Sequence, residues 1–388
     1  MTRLDDLSPR ARNVPESGII ALINHGRLKQ GLIPLWVGEG DLPTPDFISE
    51  ATVQSLQRGE TFYTWQRGIP DLRQALADYY GRHFGGRHEP DSMFVTGSGM
   101  QAIRLAIEAI CSPGDEVAFL SPAWPNISAA LEISGSHPVP VTLDFGQHGW
   151  MLDMDRLAKA IGPKTRALFI NTPSNPTGWA ASLDELRAIL DLARKANIWI
   201  IADEIYARYY YEGHRAPSFL DVMEDGDRIM FVNSFSKNWS MTGWRVGWIK
   251  APAELGQVIE NLIQYSTSGV PQFMQEGAVA ALQQGDFYVE EQKERARAAR
   301  DVLCDALSAT GRVRLAKPDG AFYAFFSIDG LEDSHAAALR VVDEANVGLS
   351  PGSGFCTGGD AFLRACFLRR IDQVEEAADR LVRFISAL

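Results

Sequence analysis

Between residues 93 and 250, short apolar runs alternate with longer amphipathic stretches, and few folds accept that order. The runs are Met93–Thr96, Val117–Leu120, Ala167–Ile170, Ile198–Ala202, Ile229–Val232 and Val246–Ile249. Runs that are apolar throughout suit strands covered on both faces. The stretches between them, such as Gln101–Ile110 and Ser182–Ala196, have the spacing of helices that bury one side. Strand and helix in alternation build a mostly parallel sheet with helices on both faces, because each parallel neighbour needs a crossover. The expected class is therefore α/β. Ligands in such sheets gather at the carboxyl ends of the strands.

The flanking segments follow other patterns. Residues 16–30 place Ile19, Ile20, Leu22 and Ile23 at helical spacing, and the Gly/Pro-rich stretch 32–45 reads as an irregular crossing. Residues 46–58 look helical. Residues 253–308 are helical in at least two pieces, broken near Gly269 and Pro271. Beyond about 310, strand-like runs at 320–326 and 362–368 alternate with helices near 335–345 and from about 372. A chain of 388 residues exceeds one ordinary core of ~100–200 residues. The expected division is a large domain, 46–290, and a smaller α+β domain made of 1–45 with 291–388.

Charge and composition exclude several functions. A net charge of −12 argues against a nucleic acid or an anionic membrane as partner, since both attract basic surfaces. No apolar run approaches the ~20 residues of a membrane span. The first residues lack the apolar core of a secretory signal, so the cytoplasm is the expected location. The four cysteines, Cys111, Cys304, Cys356 and Cys366, form no C-x-x-C pair, and no H-E-x-x-H string occurs. No metal site is expected. Few cysteines in a long chain fit a reducing compartment.

Five places carry chemistry. After the run at 93–96 come Gly97-Ser98-Gly99 and a helix start, which offers backbone N–H groups to an anion or makes a tight turn without one. The apolar run at 198–202 ends on Asp203-Glu204, with Tyr206 beyond; a carboxylate there must face a cation or a polar ligand, or cap the next turn. In FVNSFSKNWSMTGWRVGW, residues 231–248, Ser234, Ser236, Lys237 and Arg245 cluster at one strand end. Hydroxyls and a planar guanidinium suit a phosphate, and a desolvated lysine can attack a carbonyl to form an imine. The neighbouring Trp239, Met241 and Trp244 would dry that loop. INTPSNPTGW, residues 170–179, is rich in turn formers and holds Asn171 and Asn175. Arg364 interrupts the apolar run FLRACFL and needs an anion or a route to water, whereas Arg369 and Arg370 read as surface charges.

In their order along the chain, these segments resemble the class I/II aminotransferases of the fold-type I pyridoxal-phosphate group. The resemblance spans nearly the whole sequence and rests on N-P-T-G, then D-E-x-Y, then S-x-S-K with Arg245 eight positions on inside T-G-W-R-x-G. It implies pyridoxal 5'-phosphate as cofactor, held as a Schiff base on Lys237, with Lys237 also moving the proton. It implies that Asp203 pairs with the pyridine nitrogen and that Tyr206 and Asn175 bond the ring's phenolic oxygen. Ser98, Gly99, Met100, Ser234, Ser236 and Arg245 match the phosphate cradle, and Trp124 matches the aromatic on the ring face. Tyr63 matches a tyrosine that reaches the neighbouring subunit's site, which implies a homodimer with shared active sites. Arg364, Asn175 and the backbone at Gly38 match the grip on the substrate carboxylate.

The sequence departs from the family at Gly40, where proline is frequent, at Ala123 before Trp124, and after Arg364. These differences bear on the substrate. The implied reaction, in amino acid metabolism, moves an amino group from an amino acid to a 2-oxo acid by a ping-pong route. A β-lyase of the same fold is the alternative. A nicotinamide-dependent dehydrogenase built on Gly97–Gly99 is remote, since it leaves Lys237 and Arg245 unexplained. A transcription regulator would need a DNA-binding domain ahead of the first helix. Trp65, Trp124, Trp179 and Trp239 either form an apolar substrate pocket or pack cores and interfaces. No residue stands out as a cation for a substrate's distal carboxylate.

Overall fold

The computed structural model describes residues 3–14 and 18–388. Its centre is a seven-stranded sheet: β1 Met93–Thr96, β2 Glu116–Ser121, β3 His137–Thr142, β4 Thr165–Asn171, β5 Trp199–Asp203, β6 Ile229–Ser234 and β7 Gly247–Lys250. Their spatial order is β1-β7-β6-β5-β4-β2-β3. Strands β2 to β6 run parallel, and β7 lies antiparallel between β1 and β6. Every residue of β1 and β6 is buried, as expected of strands covered on both faces.

The helices follow local signals. Helix α1, Gly99–Ile110, starts where the Ser98 hydroxyl accepts from Gln101 N, and buries Ala102, Ile103, Ala106, Ile107 and Ile110. Helix α2, Leu183–Ala196, opens on a capping box between Ser182 and Glu185 and closes on Asn197 in the left-handed region. The alternation does not extend to Pro70–Phe84, which is nonetheless a helix, with proline in its first turn. Strand β3 is also hidden from the pattern, because Pro138 and Pro140 break the apolar run. It forms at the sheet edge, where donors are needed on one side only and two prolines of the same parity are tolerated.

A second sheet is antiparallel: β8 Val313–Leu315, β9 Tyr323–Ile328, β10 Ser350–Pro351 and β11 Leu363–Cys366, in the order β8-β9-β11-β10. It shares an apolar core with helices α3, Asp286–Ala309, and α4, Ile371–Ser386. The crossing at 32–45 is largely irregular, but Ile33–Pro34 pairs in parallel with Val347–Gly348, and Leu22 and Trp36 enter the same core. The helix expected over 16–30 spans Gly18–Gly26, and Glu16 and Ser17 lie outside the described residues. Arg369 is not a surface charge: it is buried and its Nε donates to Pro34 O at 3.2 Å, tying the C-terminal part to the crossing. Arg370 is exposed and pairs with Asp372. Among the described residues, no helix is long and apolar enough to cross a membrane, and no acidic, His or Cys group is arranged to hold a metal.

Candidate active site

The carboxyl ends of β4, β5 and β6 open into a cavity of about 350 Å³, closed opposite by Trp36–Glu39 and by Tyr323 and Arg364 of the second sheet. Lys237 stands on a one-turn helix, Phe235–Asn238, that begins where β6 ends. The Ser234 hydroxyl fixes that turn by accepting from Ser236 N at 3.1 Å. Lys237 Nζ donates to Gly38 O at 2.6 Å, so the amine crosses the cavity to the irregular segment. Burial pulls its pKa down to about 8, leaving an appreciable share of it neutral near physiological pH.

Asp203 ends β5 and is buried, with Ile205 N–H, at 3.3 Å, as its hydrogen-bond donor. Desolvation raises its pKa to about 7, against the pull of that N–H and of the Lys237 charge. A carboxylate placed this way lacks the donors that ordinarily stabilise a buried charge. Next to it, Asn171 Nδ2 donates to Asp203 O and Asn171 Oδ1 accepts from Asn175 N, which staples the 170–179 loop onto β5.

The other end of the cavity is rich in donors. Gly99 and Met100 occupy the first turn of α1, where backbone N–H groups have no carbonyl of the helix to bond. Ser234 Oγ donates to Ser236 Oγ at 2.8 Å. Arg245 adopts a left-handed conformation, φ 56°, and Nη1 donates to Thr242 O at 2.6 Å, so its backbone turns the side chain back toward the cavity. Gly99 and Gly247 make this packing possible: a Cβ on Gly247 would stand 2.5 Å from the carbonyl carbon of Ser98 and 2.6 Å from Gly99 N.

Arg364 is 3% exposed. Nη1 donates to Asn175 Oδ1 at 3.0 Å, and Nη2 donates to Trp36 O and to Ser350 Oγ. Its guanidinium lies between the rings of Tyr323 and Phe355, 4.7 and 4.8 Å from their centroids. Nε has no partner among the described residues. A buried cation held only by neutral acceptors, with a donor to spare, is built to receive an anion.

Most of the residues singled out in the sequence converge here. Gly38, Gly99, Met100, Trp124, Asn175, Asp203, Tyr206, Ser234, Ser236, Lys237, Arg245 and Arg364 all line the cavity, and Ser98 caps the helix beside it. Tyr63 does not: it is 92% exposed and borders a separate groove formed by residues 61–64 and 267–273. Of the four tryptophans, Trp124 alone lines the cavity; Trp179 and Trp239 are buried in the core and Trp65 is exposed.

Sequence reasoning passed over Trp36, Glu39, Thr242, Tyr323 and Ser350. Tyr323 was hidden in an ordinary apolar strand, and only the pairing of Tyr323 with Cys366 puts it on the face of Arg364. Ser350 sits in Gly348-Leu349-Ser350-Pro351-Gly352, a G-x-S-x-G string that could suggest a hydrolase nucleophile. Here it lies in β10, donates to Trp36 O at 2.7 Å and accepts from Arg364, with no histidine among the described residues bonded to it.

Comparison with known proteins identifies the family. The family described as "Aminotransferase class I and II" matches residues 30–381. The chain is 35% identical to the aspartate aminotransferase of Thermotoga maritima, covering 95% of this chain and 94% of that one. It is 32% identical to aromatic-amino-acid aminotransferase 2 of Thermococcus litoralis, with 98% of each covered. Among solved structures, alanine aminotransferase from Pyrococcus furiosus superposes with a TM-score of 0.92 at 29% identity, over 98% of this chain and 100% of that one. A match of this extent, in sequence and in fold, makes the chain a member of the class I and II aminotransferases, and so a transaminase that depends on pyridoxal phosphate.

Proposed function

We propose that Lys237 carries the cofactor of this transaminase and that Asp203 and Arg364 divide the remaining electrostatic work. The observation that carries this reading is their meeting in one cavity. Asp203 and Arg364 are buried and Lys237 is half-buried; the three come from separate elements and are held by hydrogen bonds to neutral groups.

The donor set fits the group. Asp203 is a buried carboxylate short of donors, which the protonated ring nitrogen would supply. The helix start at Gly99 and Met100, with Ser98, Ser234, Ser236 and Arg245, would hold the phosphate. Trp124 would lie on the ring face, and Tyr206 and Asn175 would bond its phenolic oxygen. Bound there, pyridoxal phosphate supplies an aldehyde for the amine and a ring that draws electrons from the substrate's α-carbon.

The chain's own groups do the rest. Arg364 binds the α-carboxylate of an amino acid or 2-oxo acid, with Asn175 and the Gly38 backbone beside it. Lys237, once free, has a pKa low enough to take the α-proton as a neutral amine and return it as an ammonium. Asp203 keeps the ring nitrogen protonated, and burial excludes the water that would screen it.

The chain is further read as two bodies, 46–290 with Lys237 and 1–45 with 291–388 carrying Arg364. It is read as a cytoplasmic homodimer in which Tyr63 completes the partner's site. Support comes from Phe62, Tyr63 and Trp65, large aromatics 83%, 92% and 62% exposed on one stretch, as at surfaces awaiting a partner. Light scattering should then give twice the 42.8 kDa of one chain.

Borohydride reduction of the holoenzyme, followed by peptide mapping, tests the central assignment. The label is expected on Lys237 and absent from Lys237→Ala. A label on another lysine would overturn it. Release of ammonia and pyruvate instead of a new amino acid would move the reaction to a lyase.

A further inference from the structure

We propose that the amino acid this enzyme prefers has an apolar, uncharged side chain, aliphatic or aromatic, and that dicarboxylic amino acids are poor substrates. The inference rests on the reading of Lys237, Arg245 and Arg364 just given. Among the described residues, those three are the cations that line the cavity. All three are engaged, Lys237 as the reacting amine, Arg245 with the phosphate and Arg364 with the α-carboxylate. A second carboxylate on the substrate would enter the same cavity with no cation of this chain left to meet it.

Glu39 makes that worse. It lines the cavity, accepts from Thr242 Oγ1 at 2.8 Å, and lies close enough to act on the charge of Lys237. A distal carboxylate would face a like charge.

Much of the remaining wall is apolar. Ile19 and Ile23, four apart on helix Gly18–Gly26, share one face and are half-buried. Val37 comes from the crossing, next to Trp36, whose indole packs against Gly26 and Gly348 and whose carbonyl holds Arg364. Met100 and Trp124 close the side toward the large sheet, and the Met100 thioether is 3.8 Å from Asn126 Nδ2. A hydrocarbon side chain buried against these groups leaves water, whereas a charged one must be stripped of it with no return.

Stopped-flow absorbance of the holoenzyme supplies the test, with leucine, phenylalanine and methionine compared against aspartate and glutamate. Loss of the lysine-bound cofactor band is expected to be at least about tenfold more efficient with the apolar set, a difference the burial of one such side chain readily supplies. A second readout needs no turnover: calorimetric binding of 4-methylpentanoate and 3-phenylpropanoate against glutarate and succinate, with the same order expected. Ile23→Lys, which sets a cation in the wall, should narrow or reverse that ratio by about tenfold. If Ile23→Lys fails to fold, the wild-type comparison decides alone. Preference for aspartate or glutamate would overturn the proposal and point to a cation from outside this chain, leaving the reading of Lys237 intact. Failure of every amino acid to bleach the band would overturn both.

Discussion

The phenolic oxygens of Tyr206 and Tyr323 lie 2.8 Å apart, with their rings nearly perpendicular at 86°. Tyr206 follows β5 of the large sheet, and Tyr323 opens β9 of the small one. Tyr323 also reaches Gly38 O, at 3.4 Å, the carbonyl that accepts from Lys237, and its ring faces Arg364. One side chain of the second sheet thus touches the proposed cofactor side and the proposed carboxylate side. Burial pushes both phenols well above their ordinary pKa, so each remains a neutral donor.

In the apoprotein, Tyr323→Phe should therefore leave a buried Tyr206 hydroxyl without its partner. An expected loss of about 1–3 kcal/mol, the cost of an unsatisfied buried polar group, can be read by urea denaturation. The pH dependence of the holoenzyme spectrum should shift as well, because Tyr206 is proposed to bond the ring. A variant with both wild-type stability and wild-type spectrum would remove Tyr323 from this role.

Asp203 gives the apoprotein an unusual pH dependence. Its carboxyl rises from 3.8 to about 7 through burial, so between those values the folded chain keeps a proton that the unfolded chain has lost. The contribution of Asp203 to stability then falls as pH rises from about 4 to about 7, the reverse of a salt-bridged carboxylate. Glu204, also raised to about 7 by burial, acts in the same direction. Asp203→Asn should remove this downward contribution, shifting the slope toward more positive values, and leave that of Glu204. An unaltered slope in urea titrations of the apoprotein would contradict the account.

Arg364→Ala should lower kcat/KM for amino acids by roughly 100-fold or more, since a buried charge-assisted contact to a carboxylate is lost. Simple amines without a carboxylate should suffer far less. Steady-state kinetics on both classes separate the two cases, and equal losses would mean that Arg364 supports the fold instead.

Gly247→Ala should destabilise the protein by about 1–3 kcal/mol, because the new Cβ meets backbone atoms of Ser98, Gly99 and Asn233 that cannot retreat. The same displacement should weaken binding of the phosphate-bearing cofactor by about tenfold or more in fluorescence titrations. Gly243→Ala is the control: a Cβ there meets nothing within 4 Å, so stability should change by less than about 0.5 kcal/mol.

Much of this was legible before the fold was known. An apolar run has to be buried on both sides, so β1, β4, β5 and β6 and the helices between them follow from the order of residues alone. Lys237, Asp203 and Arg245 were equally visible, because each stands at a strand end in a segment whose turn formers and small residues fix it locally. Strand β3 was not, since its prolines erase the run and only its edge position permits them. Nor was the helix at Pro70–Phe84, which lies outside the alternation.

What the sequence determined by itself is what depends on near neighbours: periodicity, caps, turns, and the spacing of Ser234, Ser236, Lys237 and Arg245. What the tertiary structure alone decided is which distant segments face one another across the cavity. The carbonyls of Trp36 and Gly38, the ring of Tyr323 and the guanidinium of Arg364 meet through the pairing of β9 with β11 and of Ile33–Pro34 with Val347–Gly348. A one-residue slip in either pairing would turn those groups to the opposite face, and register of that kind is set by packing between segments far apart in the chain.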